Sequence, residues 1–93
     1  MRSGSAVREE IDQVDQQLVA LIARRGECVK AAAQFKQDRA AVRAPDRVQQ
    51  VIDKVRGQAK AQGLSEEIIE QVYRAMITAF IDYELQQHGE LKA

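Results

Sequence analysis

The chain contains no tryptophan and only one cysteine, one histidine and one proline. Each shortage removes a class of explanation. A lone Cys28 can close no internal disulfide and anchors no metal-ligand set, which leans towards a reducing compartment. The single histidine, His88, lies near the tail and reads as a surface residue, so by spacing there is no Ser–His–Asp set and no Cys–His pair. A charge excess of either sign is also missing, since fourteen basic residues balance fourteen acidic ones. No overall field would draw in nucleic acid or an anionic membrane, and any positive site has to be built locally. Long apolar runs are absent too. The opening "MRSGSAVREE" lacks the apolar centre of a signal peptide, and the uncharged stretch 75–81 is far too short to span a bilayer. These absences lead us to expect a soluble cytoplasmic protein with no metal, no nucleic-acid partner and no membrane partner.

What is present is helical periodicity. Ninety-three residues, 45% apolar and 30% charged, suit one small globular domain over 1–93, with residues 1–5 as a flexible lead. From about Ser5 to about Asp38 apolar residues step by four and three: Val7, Ile11, Val14, Leu18, Leu21, then Cys28, Ala32 and Phe35. "AAVRAPDRV" interrupts this pattern. Pro45 suits the first turn of a second helix, with Asp46 near the positive end of its dipole. That helix carries Val48, Val51, Ile52 and Val55 on one face and stops at Gly63. Ser65 is the expected N-cap of a third helix, followed by Glu66 and Glu67. Along it, Ile69, Tyr73, Met76, Phe80 and Tyr83 repeat at steps of four and three. No strand alternation, repeat or low-complexity tract accompanies them. The fold class is all-α, with three helices per chain, one of them very long.

Length then argues for a partner. About 34 residues of helix extend roughly 50 Å, whereas a compact domain of this size has a radius of gyration of about 13 Å. The first helix therefore overhangs any core its own chain can build, while its apolar stripe runs end to end. A second copy is the simplest cover, and we expect a two-fold homodimer.

Several charges break the pattern. Arg25 occupies the seam between Leu21 and Cys28, although a guanidinium never loses its charge. Lys36 returns to the same face eleven residues later, about 16 Å along the axis, with Val29 and Ala32 between them. A bland alternative pairs Arg25 with a buried carboxylate and lets Lys36 reach solvent at the edge. Arg8 flanks the seam near the free end of the helix, about 25 Å from Arg25, so the two could meet only across an oligomer interface. Arg47 opens the second helix one turn before Val51, and Glu84 follows Ile77 and Ile81 along the third. Taken singly, Arg47 is a weak signal, and Glu84, though on a stripe that could face inward, reads first as an ordinary surface carboxylate.

Taken together, "VREEIDQVDQQLVALIARR", "KAAAQFK", "APDRV" and "FIDYELQQ", in this order and spacing, resemble the AroQ-type chorismate mutase family over about residues 6–88. The loop "FKQDRAAVRAPDRV" is most similar to the isochorismate-pyruvate lyase branch. The resemblance implies an intertwined homodimer of three-helix chains whose active sites are shared. It implies that Arg25 and Arg47 bind the substrate carboxylates, with Arg8 supplied by the other subunit. Lys36 and Glu84 would face the ether oxygen whose bond breaks, Glu84 donating there only in its protonated form. Val29, Val51, Phe80 and Ile81 match wall positions. One departure stands out. Mutases of this family typically carry Asp three residues before the arginine that Arg47 matches and Glu directly after it, where this chain has Ala44 and Val48. The family's usual handle on the substrate's ring hydroxyl is thereby missing.

The residue chemistry agrees with that family. Guanidinium and ammonium groups among aliphatic walls suit a small dicarboxylate, and offer positioning and charge stabilisation with no nucleophile. The expected activity is a cofactor-free chorismate mutase reaction, chorismate to prephenate, with Arg25, Lys36 and Glu84 as the catalytic set. The alternative is isochorismate-pyruvate lyase, giving salicylate and pyruvate, and aminodeoxychorismate rearrangement is a third possibility. From a different class, the chain could be a non-catalytic helical regulatory partner, against which the intact set of four cations argues. A DNA-binding helical dimer fits least, for want of a basic stripe.

Overall fold

The computed structural model describes the backbone of residues 3–33 and 45–92, and the side chains of residues 3–32 and 45–87. Three α-helices account for nearly all of them: α1, Gly4–Ala33; α2, Pro45–Ala61; and α3, Glu66–Lys92. The described residues contain no strand, so the all-α expectation holds. The chain divides into two units, α1 in the first and α2 with α3 in the second, and each is described by itself.

In the first unit, α1 is an unbroken helix of 30 residues, about 45 Å long. Its start is set one residue earlier than the periodicity suggests. Ser3 caps it, its Oγ accepting from the Ala6 amide at 3.1 Å and its carbonyl from the Val7 amide at 3.1 Å. The expected continuation to Asp38 lies outside the described residues. The seam is present and uncovered: Val7, Ile11, Val14, Leu18 and Leu21 are all exposed, the last four by half or more. Only towards the far end do Ile22, Arg25, Gly26 and Val29 become half-buried.

In the second unit, α2 and α3 pack antiparallel, joined by a turn whose chemistry is legible residue by residue. Pro45 takes the first position of α2, where a missing N–H costs nothing. At the other end Gly63 sits at φ 74°, a backbone conformation that a side chain would strain. Two hydrogen bonds close the helix there, Leu64 amide to Ala59 carbonyl at 2.8 Å and Gly63 amide to Lys60 carbonyl at 3.2 Å. That pairing is the Schellman motif. Ser65 then caps α3, its Oγ accepting from the Ile68 amide at 3.3 Å. Ile52, Val55 and Ala59 line the buried face of α2, and Ile52 is fully enclosed.

α3 carries two apolar stripes. Ile69, Tyr73, Met76, Ile77, Phe80 and Ile81 are half-buried, and Leu85 is buried. A second stripe, Ile68, Val72, Ala75, Ala79 and Tyr83, is exposed along its length. The sequence pattern assigns Tyr83 to the first stripe, but the structure exposes 61% of it. The reason is the helical period. Steps of four and three drift by about 20° per heptad on a straight helix, and by the third heptad Ile81 and Glu84 hold the inward row.

A polar strap fastens α2 to α3 on one flank. Arg56 Nη1 donates to Glu70 Oε1 at 2.6 Å, and Arg74 Nε donates to Glu70 Oε2 at 2.7 Å. Arg74 Nη2 then reaches back across to Gln49 Oε1 at 3.2 Å. Arg74's hydrogen bond is the main cause that holds the Glu70 carboxyl below its ordinary value of 4.5; desolvation, next in size, pulls the other way, and the hydrogen bond from Arg56 and the charges of both arginines add to the lowering. A depressed carboxylate contributes stability that is fully present above its unfolded value and is lost as pH falls through the folded one. The melting temperature of the wild-type protein should therefore exceed that of Glu70→Gln at pH 6, and the gap should close as pH drops below about 4.5. Thermal unfolding of both proteins from about pH 3 to 7 checks this; a gap that stays constant to the acid end would remove Glu70 as the fastening group.

Candidate active site

On α1, Arg25 is half-buried in the seam, and Val29, one turn on, is half-buried beside it. Arg8 is exposed near the start of the same helix. Seventeen residues of continuous helix separate the two arginines, about 25 Å of axial rise. Lys36, expected on the face of Arg25, lies outside the described residues, as does the departure at Ala44.

The other five expected residues lie on the two helices of the second unit. Arg47 stands in the first turn of α2, exposed, with Nη1 donating to Gln50 Oε1 at 2.6 Å. Val51, one turn on, is half-buried, as are Phe80, Ile81 and Glu84 on α3. One carboxylate oxygen of Glu84, Oε2, is closed off from solvent, so this acid is turned inward and is no ordinary surface carboxylate. Val48, where the family typically has Glu, is half-buried.

The antiparallel register relates these residues. Arg74 reaches Gln49 while Arg56 reaches Glu70, so the start of α2, with Arg47, runs beside the half of α3 that carries Glu84. No group of three or more His, Cys, Asp or Glu is placed to hold a metal among the described residues. No helix among them is long and apolar enough to cross a membrane.

The sequence reading missed the strap and the contact on Arg47. The Glu70–Arg74 spacing of four was a visible signal, as was Gln50 three residues after Arg47. The crossings from Arg56 to Glu70 and from Arg74 to Gln49 need the register between two helices, which no local pattern supplies.

Comparison with known proteins agrees with the order of these segments. Residues 7–85 match the family described as chorismate mutase type II. Over 75 residues the chain is 35% identical to the isochorismate pyruvate lyase of Pseudomonas aeruginosa, covering 81% of this chain and 74% of that protein. That match runs through most of the segment carrying Arg8, Arg25, Arg47 and Glu84, and its extent is what a shared fold requires. By the reach of the family match, from the seam of α1 to the buried face of α3, the chain belongs to the chorismate mutase type II family of enzymes.

Proposed function

We propose that the protein is a chorismate mutase-type pericyclic enzyme, converting chorismate to prephenate without a cofactor. The observation that carries the reading is Arg25, a permanent cation half-buried in an otherwise apolar helical seam. Within this family a cation at that position has a purpose, the binding of a substrate carboxylate. Arg25 and Arg47 hold the two carboxylates and keep the substrate in its compact, reactive shape. Lys36 donates to the ether oxygen, which gains negative charge as its bond to carbon breaks and a new carbon–carbon bond forms, and Glu84 is directed at the same oxygen. Val29, Val51, Phe80 and Ile81 form aliphatic and aromatic walls that exclude water. The same equipment serves an elimination that releases pyruvate from isochorismate and leaves salicylate. The likeness to an isochorismate pyruvate lyase, and the Ala44 and Val48 that stand where mutases of the family typically carry acids, make that second reading the alternative. Incubating the purified protein separately with each substrate and following prephenate and salicylate decides between them. Turnover of neither would end both.

The working unit in this proposal is one mutase-like domain, intertwined with a second copy. Support comes from two exposed apolar stripes, the seam of α1 and the outer row of α3, neither of which a stable soluble chain leaves in water. Support for a shared site comes from the rod itself, because Arg8 and Arg25 on one α1 are too far apart to touch one small substrate. Arg8→Ala and Arg25→Ala proteins should each be inactive, and a mixture refolded together should regain activity, since one site in each mixed dimer receives both native arginines. Mixtures that stay inactive, or an active monomer in the ultracentrifuge, would remove the shared site.

Lys36 separates chemistry from binding. Lys36→Ala should lower the turnover number by about 10²–10³, the usual cost of losing a preorganised donor to developing negative charge. Arg47→Ala should act mainly on KM, because its carboxylate contact is made equally in the ground and transition states. If Lys36→Ala raised KM alone, the electrostatic role would belong elsewhere.

A further inference from the structure

The strap on the flank of α2 and α3 is more than a fastening. Its hydrogen bonds cross between the helices twice, at Gln49–Arg74 and at Arg56–Glu70, with Arg56 also paired to Glu66 at 3.8 Å, and the two anchor points on α2 are seven residues apart on one face. The crossing at Gln49 lies within the first two turns of α2, two residues from Arg47 and two from Val51. Those turns open on Pro45, and the first amides of a helix have no partner within it.

The orientation of Gln49 is chemically determined. Its Nε2 donates to Asp53 Oδ1 at 2.9 Å, which leaves Oε1 to accept from Arg74 Nη2 at 3.2 Å. A flipped amide would set its NH2 against a guanidinium and its oxygen against a carboxylate, so only one orientation works. Arg74 in turn is fixed by Glu70, and Glu70 by Arg56. The chain of contacts ends on α2 at both sides, which resists sliding along the axis as well as separation.

We propose that Gln49, acting through Arg74 and the Glu70–Arg56 pair, is a positioning residue that holds the first turns of α2 where Arg47 meets the substrate. This rests on the reading of Arg47 as a carboxylate-binding residue. With the strap intact, Arg47 is presented in the binding-competent place in most molecules. Without it the start of α2 samples other positions, and the apparent affinity falls by the fraction of molecules still competent. Once substrate is bound, the same constellation is assembled, so turnover is spared.

The test uses the full chain and four proteins: wild type, Gln49→Met, Arg74→Lys and the double variant. Methionine keeps the length and helix preference of glutamine without its acceptor. Lysine keeps the charge but, having a single ammonium head, cannot serve Glu70 and Gln49 together. Each single variant should raise KM about three- to fivefold with kcat within about twofold of wild type, and the double should be no worse than either single. Amide hydrogen exchange over residues 46–51 should speed up in all three variants. Unchanged KM in Gln49→Met, or a loss of kcat in step with melting temperature at constant KM, would overturn the proposal while leaving the enzyme reading intact. Additive single effects would also overturn it, since they would mean that the two residues act separately. Wild-type protein that turns over neither chorismate nor isochorismate would overturn the functional reading itself, and this proposal with it.

Discussion

Between Arg8 and Arg25 run seventeen residues of unbroken helix, and a rise of about 1.5 Å per residue makes that a gap of about 25 Å which no side-chain movement closes. The same rigidity leaves Ile11, Val14, Leu18 and Leu21 at least half exposed. One constraint thus produces two needs, a cover for the seam and a second source of cations for any site built around Arg25. A second copy of the chain, as proposed, meets both at once. The outer row of α3 adds weight, since a helix apolar on two faces is normally buried on both.

Zero net charge fits a site of this kind. A globally basic protein would attract polyanions indiscriminately, whereas a balanced chain with a few placed cations discriminates by geometry. The strap shows the other half of the balance. Arg56 and Arg74 are matched by Glu70 within about 2.7 Å and serve structure. Arg47 is met by a neutral amide, and its charge is the one the proposed function gives to a ligand. Position relative to a carboxylate, more than residue type, separates the structural arginines of the second unit from the one assigned to binding.

Much of the fold was legible because its signals are local. Pro45, Gly63 and Ser65 each sit where backbone chemistry requires them, and the structure uses each as its residue type suggests. The seam of α1 was legible for the same reason, being a repeat along one helix. Tyr83 was not, because a pattern of fours and threes does not say when the helix has rotated a row out of contact. The strap was hidden for a different cause: which residue on α2 lies opposite Arg74 depends on the register of two helices packed against each other. For the candidate site, residue types were readable from the family resemblance. The enclosure of the Glu84 Oε2 atom and the contact made by Arg47 emerged only with the structure.

The departure at Val48 gains meaning beside Gln50. A glutamate directly after Arg47, as mutases of the family typically have, places a negative charge at the guanidinium, and a substrate carboxylate then competes with it. Here position 48 is a half-buried valine, and the contact on Arg47 is an amide oxygen three residues along. A neutral acceptor orients the guanidinium at a modest gain of about 1 kcal/mol and leaves its charge unspent. In the proposed site, the valine at position 48 removes one hydrogen-bond acceptor for a ring hydroxyl. Chorismate and isochorismate differ in where the ring carries its hydroxyl, so in the proposed site the surroundings of Arg47 bear on which of the two is accepted.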